Sequence, residues 1–328
     1  MEGLPNLVGS TIKNYRILHF INSGDYGIVY AVEDLNNNNY YAMKILYPSA
    51  ENEREFNREV AVYNLLSSVI SRSGCNKHVV CLQDAFIHHI FTEETTDTEK
   101  IVYDNTYFVL ILEFMDGDLR NIIDSSLLLN NAYIILKFMK SLLEGLAFIH
   151  SQGIAHKDIK LENILYKTQN FLVEGGEERK QIVLKYVDFG LSCTDETHPE
   201  ILDKVQKCGM QGNPIFISQD YAYAEIDEIN LRMAQKDDIW ALGVIFRLMA
   251  VGRHPVAKIN DLIKSDKVEE EAIIKVLRST TSVEDFTYKT GHSKLDNIIT
   301  QVVRKMSRLD EYDRPTAQEL LDYIYEKD

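Results

Sequence analysis

The amino-acid sequence predicts an α+β protein in which a small β-rich N-lobe with one helix precedes a larger helical C-lobe. The β-rich part is indicated by three short stretches of β-branched and aromatic residues that Gly or Asn turns separate. These stretches are 15–20, 28–33 and 40–46. Apolar residues then recur every three or four positions within 51–68, which is typical of a helix with one buried face. Helical patterns dominate after Leu119, for example in 134–149 and 239–251.

The helix predicted near the N-terminus carries its apolar residues on one side. They are Phe56, Val60, Tyr63 and Leu66. Two polar segments, 92–105 and 167–180, predict surface insertions, the second as a long hairpin turn. The chain shows no internal repeat. We therefore expect one domain over 1–328, with an N-lobe spanning 15–115 and a C-lobe spanning 116–325.

Charge and hydropathy exclude several classes of protein. The 328 residues include 35 basic and 50 acidic side chains, a formal net charge of −15, which disfavours a nucleic-acid partner. The longest uninterrupted apolar run, 107–112, is too short to span a bilayer, and the N-terminus lacks a secretory or myristoylation signal. We therefore expect a soluble cytoplasmic protein. The Asn-, Ile- and Tyr-rich composition hints at a parasite or a large DNA virus, in which case the location is the host cytoplasm.

The cysteines give no sign of a metal site. No two of the four form a Cys-x-x-Cys pair, and no His cluster stands at zinc-finger spacing. They are Cys75, Cys81, Cys193 and Cys208. In a chain expected to be intracellular, we expect reduced thiols.

Three features of the β-rich part are typical of a phosphate-binding region, although each also has a purely structural interpretation. Gly24 and Gly27 stand between two predicted strands, where glycine lets backbone N–H groups approach phosphate oxygens. Lys44 ends a predicted strand, and Glu59 follows on the polar side of the helix. The alternatives are a tight hairpin, a surface lysine and a solvated glutamate.

A loop in the helical part is harder to explain structurally. His156-Lys157-Asp158-Ile159-Lys160-Leu161-Glu162-Asn163 puts a carboxylate, a cation and an amide on one short loop. Phosphoryl transfer needs a carboxylate to orient the attacking hydroxyl, a cation for the moving charge and oxygen ligands for Mg²⁺. Asp188-Phe189-Gly190 ends a later predicted strand and supplies another carboxylate.

The order of these motifs resembles the eukaryotic protein kinase family over nearly the whole chain, from Tyr15 to Tyr325. The resemblance implies a bilobal protein kinase fold, with ATP and Mg²⁺ as cofactors in the interlobe cleft and protein substrates as partners. It also implies roles for individual residues. Gly24 and Gly27 cover the phosphates, Lys44 binds them with Glu59 as its partner, Asp158 is the catalytic base with Lys160 beside it, and Asn163 and Asp188 bind Mg²⁺.

The same resemblance assigns residues to the adenine pocket and to the support of the loop. Val29, Ala42 and Leu165 enclose the adenine, Leu112 is the gatekeeper, and Glu113 to Met115 form the hinge. Asp238 and Trp240 begin a buried helix, from which Asp238 braces the loop. Arg314 pairs with the end of the activation segment.

The chain departs from the family pattern at several positions. Asn22 replaces the first loop glycine, and Asn213 replaces a threonine before the end of the activation segment. Lys157 replaces the arginine that clamps a phosphorylated activation loop, so we expect a phosphate on Ser192, Thr194 or Thr197 to add little. Ser218-Gln219-Asp220 replaces Ala-Pro-Glu, with Asp220 still able to pair with Arg314.

These observations predict a serine/threonine kinase, because Ser/Thr kinases of the family carry a lysine at the position of Lys160. Two alternatives are a pseudokinase scaffold and a small-molecule phosphotransferase of the kinase-like superfamily. We also expect a preference for basic residues before the acceptor, read by Glu162 and Asp118. Its alternative is that Glu162 is a common residue among Ser/Thr kinases and Asp118 caps a helix. The oligomeric state is not predicted.

Overall fold

The computed structural model describes residues 7–328 apart from a set of short gaps. The gaps are 25, 69–74, 96–99, 126, 129, 173–177, 197–198, 204, 226–228 and 265–268. The described chain divides into two compact units. The first runs to Asn76 and includes Val80–Met115, and the second comprises Lys77–Val79 and Asp116–Asp328.

The first unit is a six-stranded antiparallel sheet with one helix. Its strands are β1 (Thr11–Ile12), β2 (Tyr15–Ser23), β3 (Gly27–Asp34), β4 (Tyr40–Leu46), β5 (Leu82–Thr95) and β6 (Lys100–Glu113), and helix α1 spans Ala50–Ser68. The spatial order of the strands is β1-β2-β3-β4-β6-β5. The three strand predictions and the helix prediction are confirmed, with ends that differ by a few residues.

Alternation of apolar and polar side chains explains how the sheet holds together. Residues at every second position of β3 and β4, such as Tyr30, Val32, Met43 and Ile45, are buried in one apolar cluster that also takes in Val109 and Ile111 of β6. Helix α1 buries Phe56, Tyr63 and Leu66, as its period predicted. The predicted insertion 92–105 continues β5 and β6 as paired strands, for example Thr92 with Tyr103.

The second unit is mainly helical. Its helices are α2 (Leu119–Asp124), α3 (Ala132–Ser151), α4 (Pro199–Leu202), α5 (Gln219–Tyr223), α6 (Leu231–Val251), α7 (Ala257–Ile263), α8 (Glu270–Ser279), α9 (Ser293–Met306) and α10 (Ala317–Lys327). Helix α6 is buried on nearly every side, helix α3 is buried along one broad apolar face, and the two helices pack against each other. Helix α6 begins after Asn230, whose side chain accepts from the Met233 amide, and ends at Gly252, whose left-handed φ of 66° suits glycine.

In a small sheet of the second unit, two of the three strands follow the loop 156–163 in sequence, and the last ends just before Asp188. Strands β7 (Gly117–Asp118), β8 (Ile164–Leu172) and β9 (Glu178–Tyr186) lie in that order and are antiparallel. The predicted long hairpin turn at 167–180 is largely paired strand, since Lys167 pairs with Val183 and Leu172 with Glu178, and its turn at 173–177 lies outside the described residues. The α+β prediction is confirmed by a sheet with one helix in the first unit and helices in the second.

The expectation of reduced thiols is wrong for this structure. Cys75 and Cys81 form one disulfide, with Cα atoms 5.3 Å apart, and Cys193 and Cys208 form another, with Cα atoms 4.8 Å apart. Sequence spacing could not reveal the pairs, because the fold brings each pair together. Among the described helices, none is long and apolar enough to cross a membrane.

Candidate functional site

Lys44 and Glu59 meet within the first unit. Lys44 lies near the end of β4 and donates from Nζ to Oε2 of Glu59 on α1 at 2.9 Å. Glu59 is only 1% exposed, which excludes the interpretation of a solvated helix residue. A buried carboxylate fixes the direction of the lysine, so this ion pair holds a cation at a defined place on the sheet.

The two glycines occupy different environments. Gly27 begins β3 opposite Leu46, and a Cβ there would overlap the carbonyl oxygen of Ile45. The sheet therefore requires glycine at this position, independently of any ligand. Gly24 has nothing within 4 Å of a built Cβ. Packing in the described structure therefore requires glycine at position 27 but would accept a side chain at position 24.

The residues assigned to the adenine pocket in the first unit lie on neighbouring strands. Val29 pairs with Lys44, and Ala42 pairs with Leu112 of β6. The backbone N–H of Glu113 donates to the Cys81 carbonyl at 2.8 Å. Met115 follows and is buried. The sheet therefore brings these residues together in one region, next to the Lys44 pair.

In the second unit, the catalytic loop (residues 156–163) converges on one carboxylate. Lys160 donates from Nζ to Oδ2 of Asp158 at 2.7 Å, and the Asn163 amide nitrogen donates to the same oxygen at 2.7 Å and to the Asp158 carbonyl at 2.9 Å. Burial lowers the pKa of Lys160, but the Asp158 carboxylate and its hydrogen bond, with Asp188, outweigh this and raise the pKa. The loop thus presents a lysine–carboxylate pair in which one carboxylate oxygen, Oδ1 of Asp158, lies outside these bonds.

Asp188 stands at the turn after β9, beside the loop. Its φ of 69° is left-handed, an uncommon conformation for a residue other than glycine. The Val187 amide donates to the Asn163 carbonyl at 3.1 Å, which joins the turn to the loop. Strand pairing also places Leu165 opposite Lys185 on β9 and opposite Asp118 on β7.

His156 forms a second link between the loop and this turn. Its Nδ1 accepts from the Asp158 amide at 3.3 Å, and its Nε2 donates to the Val187 carbonyl at 3.2 Å. Burial lowers its pKa, despite the nearby carboxylates of Asp238, Asp158 and Asp188. The neutral ring can make both bonds at once, since one nitrogen accepts while the other donates.

Asp238 supports the loop from helix α6. Its Oδ2 accepts from the His156 amide at 2.7 Å, its Oδ1 accepts from the Lys157 amide at 2.9 Å, and His150 of α3 lies 3.0 Å from Oδ2. Burial raises the pKa of Asp238, but the His150 hydrogen bond and nearby cations lower it further than burial raises it. The predicted bracing role of Asp238 is confirmed.

Lys157 is buried and forms an ion pair inside the protein. Its Nζ donates to Oδ2 of Asp237 at 2.5 Å and lies 3.3 Å from the centre of the Tyr221 ring, with the side chain 1% exposed. The other oxygen of Asp237 accepts from the Ser218 amide at 2.6 Å. Lys157 therefore links the catalytic loop to the start of α5 instead of offering a charge to solvent.

The hydroxyl groups considered as phosphorylation sites are also engaged. Ser192 and Thr194 are fully buried, and their hydroxyls donate to the backbone carbonyls of His156 at 3.2 Å and Gly153 at 2.8 Å. Thr197 lies outside the described residues. In this conformation Ser192 and Thr194 offer no hydroxyl for phosphorylation.

The end of the activation segment is held by the ion pair that the sequence predicted. Arg314 pairs with Asp220 and donates from Nη1 to the Lys236 carbonyl at 2.6 Å. Its guanidinium lies 5.8 Å from the Trp240 ring centre. Asn213, which replaces a threonine, accepts from the Ile215 amide at 3.0 Å and lines the same small cavity as Asp158.

The residues proposed to recognise basic substrates have partners of their own. Glu162 is ion-paired with Arg120 of α2, and both side chains are exposed. Asp118 is the N-cap of α2, where it accepts from the Asn121 amide at 3.1 Å. Helix capping therefore accounts for Asp118, as the alternative interpretation held.

Oxygen donors of the second unit suit Mg²⁺. The Asn163 amide oxygen and the Asp188 carboxylate are the hard ligands that this ion prefers, and phosphates commonly complete its shell. The described residues contain no group of three or more His, Cys, Asp or Glu side chains that could hold a metal.

Sequence reasoning missed three participants in the site. Asp237 was not singled out, although it stands next to Asp238. Arg120 carries no motif, and its pairing with Glu162 depends on the approach of α2 to the catalytic loop. The double hydrogen bonding of His156 likewise follows from the fold, since Val187 lies far along the chain.

Comparison with known proteins gives a family for the chain. The sequence model of the protein kinase domain matches residues 15–325. Calcium-dependent protein kinase 4 of Plasmodium berghei is 23% identical over 263 residues, which cover 78% of this chain and 41% of that protein. Serine/threonine-protein kinase 33 of Bos taurus is 26% identical over 239 residues, covering 72% and 42%.

A third relative matches over more of its length. Mitogen-activated protein kinase 2 of Arabidopsis thaliana is 26% identical over 321 residues, covering 93% of this chain and 75% of that protein. The match to calcium-dependent protein kinase 4 and to serine/threonine-protein kinase 33 spans about two fifths of their length.

The Lys157–Asp237 pair generates a prediction about stability. Lys157→Met and Asp237→Asn should each lower the free energy of unfolding by about 3–5 kcal/mol, because each leaves a buried charge without its partner. The double variant should lose clearly less than the sum of the two. Urea denaturation followed by circular dichroism measures all three.

Lys207→Met serves as the matched control, since Lys207 forms an exposed pair with Glu196 and should be replaceable without a measurable change. If Lys157→Met were as stable as the wild type, the buried pair would not exist in solution.

Proposed function

Because this chain belongs to the protein kinase family, we propose that it is an active serine/threonine kinase that transfers the γ-phosphate of MgATP to hydroxyl groups of protein substrates. The observation that carries the proposal is the convergence of Lys160 and Asn163 on one oxygen of Asp158. This arrangement fixes the orientation of a carboxylate and leaves its other oxygen for a substrate. It is the arrangement that phosphoryl transfer requires, since catalysis there is mainly positioning and electrostatics.

Asp158 would orient the acceptor hydroxyl and take its proton. The two hydrogen bonds to Oδ2 hold the carboxylate in one rotamer, so Oδ1 meets the hydroxyl without reorganisation. Lys160 would then stabilise negative charge that develops between the hydroxyl and the phosphate. Asp238 and His156 would act as positioning residues, because Asp238 accepts from the amides of His156 and Lys157 and the His156 ring accepts from the Asp158 amide.

In the first unit, Lys44 would bind the phosphates of ATP while Glu59 fixes its direction. Gly24 and Gly27 would lie over the phosphates, and Val29 and Ala42 would contact the adenine together with Leu165. The backbone of Glu113 and Met115 would hydrogen-bond the adenine edge. Support for these roles comes from the position of each residue within the sheet and from the family pattern.

Asn163 and Asp188 would hold Mg²⁺, which when bound neutralises charge on the phosphates. Their backbones are joined through the bond from the Val187 amide to the Asn163 carbonyl, so their separation is set by the fold. Such a rigid pair of ligands favours a small ion that demands regular geometry.

Serine and threonine are the proposed acceptors because of Lys160, the residue that Ser/Thr kinases of the family carry there. A pseudokinase is the main alternative, motivated by Asn22, Lys157 and Asn213. None of the three replaces a group that would touch the metal or the transferred phosphate. The ion pair between Arg314 and Asp220 at the end of the activation segment favours a protein acceptor over a small molecule.

We propose a conditional preference for basic residues before the acceptor. Glu162 can attract a substrate cation, but Arg120 already pairs with it, so a substrate arginine has to displace Arg120. Exposed ion pairs are worth only about 0–1 kcal/mol, which makes this exchange feasible.

The cytoplasmic location stays a prediction, and cell fractionation checks it.

The catalytic assignment predicts different results for two aspartates. Asp158→Asn should lower kcat by a factor on the order of 10² to 10⁴ with nearly unchanged nucleotide affinity, because the base acts on the hydroxyl. Asp188→Asn should also weaken MgATP binding by about tenfold or more, since a metal ligand is lost. Steady-state kinetics on a Ser peptide and calorimetric titration with MgATP separate the two effects.

Asp261→Asn, on the exposed side of α7, is the matched control and should behave as the wild type. Wild-type turnover in Asp158→Asn would refute the mechanism, and a wild-type protein without any MgATP turnover would favour the pseudokinase.

Substrate choice gives a further prediction. Arg120→Ala should strengthen the preference for Arg or Lys two or three residues before the acceptor by several-fold, because Glu162 loses its internal partner. The Glu162→Gln, Asp118→Asn double variant should lose the preference while keeping its rate on neutral peptides, and asparagine still caps α2. A degenerate peptide library measures both, with Arg308→Ala as an exposed arginine control. A wild-type enzyme that selects acidic or proline-flanked acceptors would rule this preference out.

A further inference from the structure

A disulfide links two parts of the activation segment, which we define as residues 191–217. Cys193 lies near its start and Cys208 in its second half, and their sulfur atoms are bonded. The sequence separation of 15 residues makes a loop that contains helix α4. The other disulfide, Cys75–Cys81, lies in the first unit and has no part in this segment.

The first arm of the segment is fastened beside the catalytic loop. The amides of Cys193 and Ala155 each donate to the other residue's carbonyl at 3.0 Å. Ser192 and Thr194 add the side-chain bonds to His156 and Gly153 described above. The residues on either side of Cys193 are therefore held by the chain that leads into Asp158.

The second arm reaches the catalytic loop through Cys208. The Cys208 amide donates to the Thr194 carbonyl at 3.2 Å, and the Thr194 amide donates to the Gln206 carbonyl at 3.1 Å. Farther along, Gly212 packs so closely on the Lys157 carbonyl that a Cβ could not fit. The disulfide thus joins this first arm to a second arm that is held by the two backbone bonds, by the Gly212 contact and by Tyr221, whose hydroxyl donates to the Gly209 carbonyl and accepts from the Gln211 amide.

A phosphate has no evident place in this arrangement. Protein kinases commonly order this segment when a phosphorylated residue pairs with basic side chains. Here Lys157, at the position of the usual arginine, is buried and paired with Asp237. Lys207 is the only lysine or arginine among the described residues of the segment, and its pair with Glu196 is exposed.

We propose that Cys193 and Cys208 form a reversible redox site that orders the activation segment in place of a phosphate. The disulfide holds the segment in the conformation described, and its reduction lets the second arm open. A cross-link acts by removing open conformations, so the closed form is the more populated one after oxidation. The effect on catalysis rests on the proposed kinase function, whereas the effect on segment order does not.

The oxidant is a low-molecular-weight disulfide such as oxidised glutathione. One cysteine thiolate attacks it, forms a mixed disulfide and releases one glutathione thiolate. The second cysteine thiolate attacks the protein sulfur of that mixed disulfide and releases the other glutathione. Two cysteine thiols are oxidised and lose two protons, and one oxidant disulfide is reduced to two thiols.

Burial of the two sulfur atoms couples this chemistry to motion. Cys193 is 1% exposed and Cys208 is 7% exposed, so a reductant reaches the bond when the segment opens. The rate of reduction therefore reports how often the segment opens. Ligands that hold the segment closed slow that rate.

The test compares the full chain after equilibration with oxidised and with reduced glutathione. Alkylation of free thiols followed by mass spectrometry identifies the linked cysteines. Limited trypsin digestion then measures cleavage after Lys207, whose side chain is 67% exposed. The samples are reduced after the digestion is quenched, so that the two fragments of a cleaved chain separate. We expect the Cys193–Cys208 link in the oxidised protein, and cleavage about tenfold or more faster after reduction.

Variants separate this disulfide from the other one. Cys208→Ser should be cleaved at the fast rate in both conditions, and Cys75→Ser should keep the response of the wild type. In a peptide kinase assay the oxidised wild type should be several-fold more active than the reduced protein, with Cys208→Ser constant at the lower rate.

Three results would overturn the redox site. They are free thiols at both positions under oxidised glutathione, equal cleavage of the oxidised and reduced wild type, and equal, measurable kinase activity of the two forms. If neither form transfers phosphate, the proposed kinase function fails, while the thiol and cleavage measurements still decide whether the disulfide orders the segment.

Discussion

Asp238 is a carboxylate withdrawn from water on helix α6, and the catalytic loop is built on it. Its two oxygens accept from consecutive amides, those of His156 and Lys157, so the loop enters its turn in one orientation. A buried carboxylate without these donors would be costly, and the loop amides without it would lack partners. Because each side needs the other, Asp238 and the two loop amides hold the backbone that leads into Asp158 in one conformation.

The neighbouring Asp237 extends the same support to the activation segment. It joins Lys157 to the amide of Ser218, where the segment ends and α5 begins. Arg314 then ties α5 to α6 through Asp220 and the Lys236 carbonyl. Asp237 and Asp238, adjacent on one buried helix, thus position both the catalytic loop and the end of the segment. The ion pair between Asp237 and Lys157 is buried.

Much of the fold and site could be predicted because the signals are local. The strands 40–46 and the helix carrying Glu59 follow from period and composition, and the loop around Asp158 carries its chemistry within a few consecutive residues. The family resemblance supplied the longer-range pairs of Lys44 with Glu59 and Arg314 with Asp220, and both are present.

The errors and omissions concern contacts that only the folded chain creates. The thiols were expected to be reduced, yet Cys193 and Cys208 meet because Thr194, next to Cys193, bonds through its backbone to Cys208 and Gln206. The comparison of Lys157 with a phosphate-clamping arginine gave no sign that the approach of α6 buries the lysine against Asp237. Glu162 was weighed as a substrate contact without its partner Arg120, which no local pattern indicates.

The central claim is that this chain is an active kinase whose activation segment is held by internal bonds and not by phosphate. The most direct measurement is the rate of peptide phosphorylation by oxidised protein before and after phosphatase treatment, with mass spectrometry to verify that the segment carries no phosphate. We expect the treated protein to keep most of its rate, because Lys157 is paired with Asp237 and the hydroxyls of Ser192 and Thr194 are buried. A fall to background that rephosphorylation reverses would contradict the account.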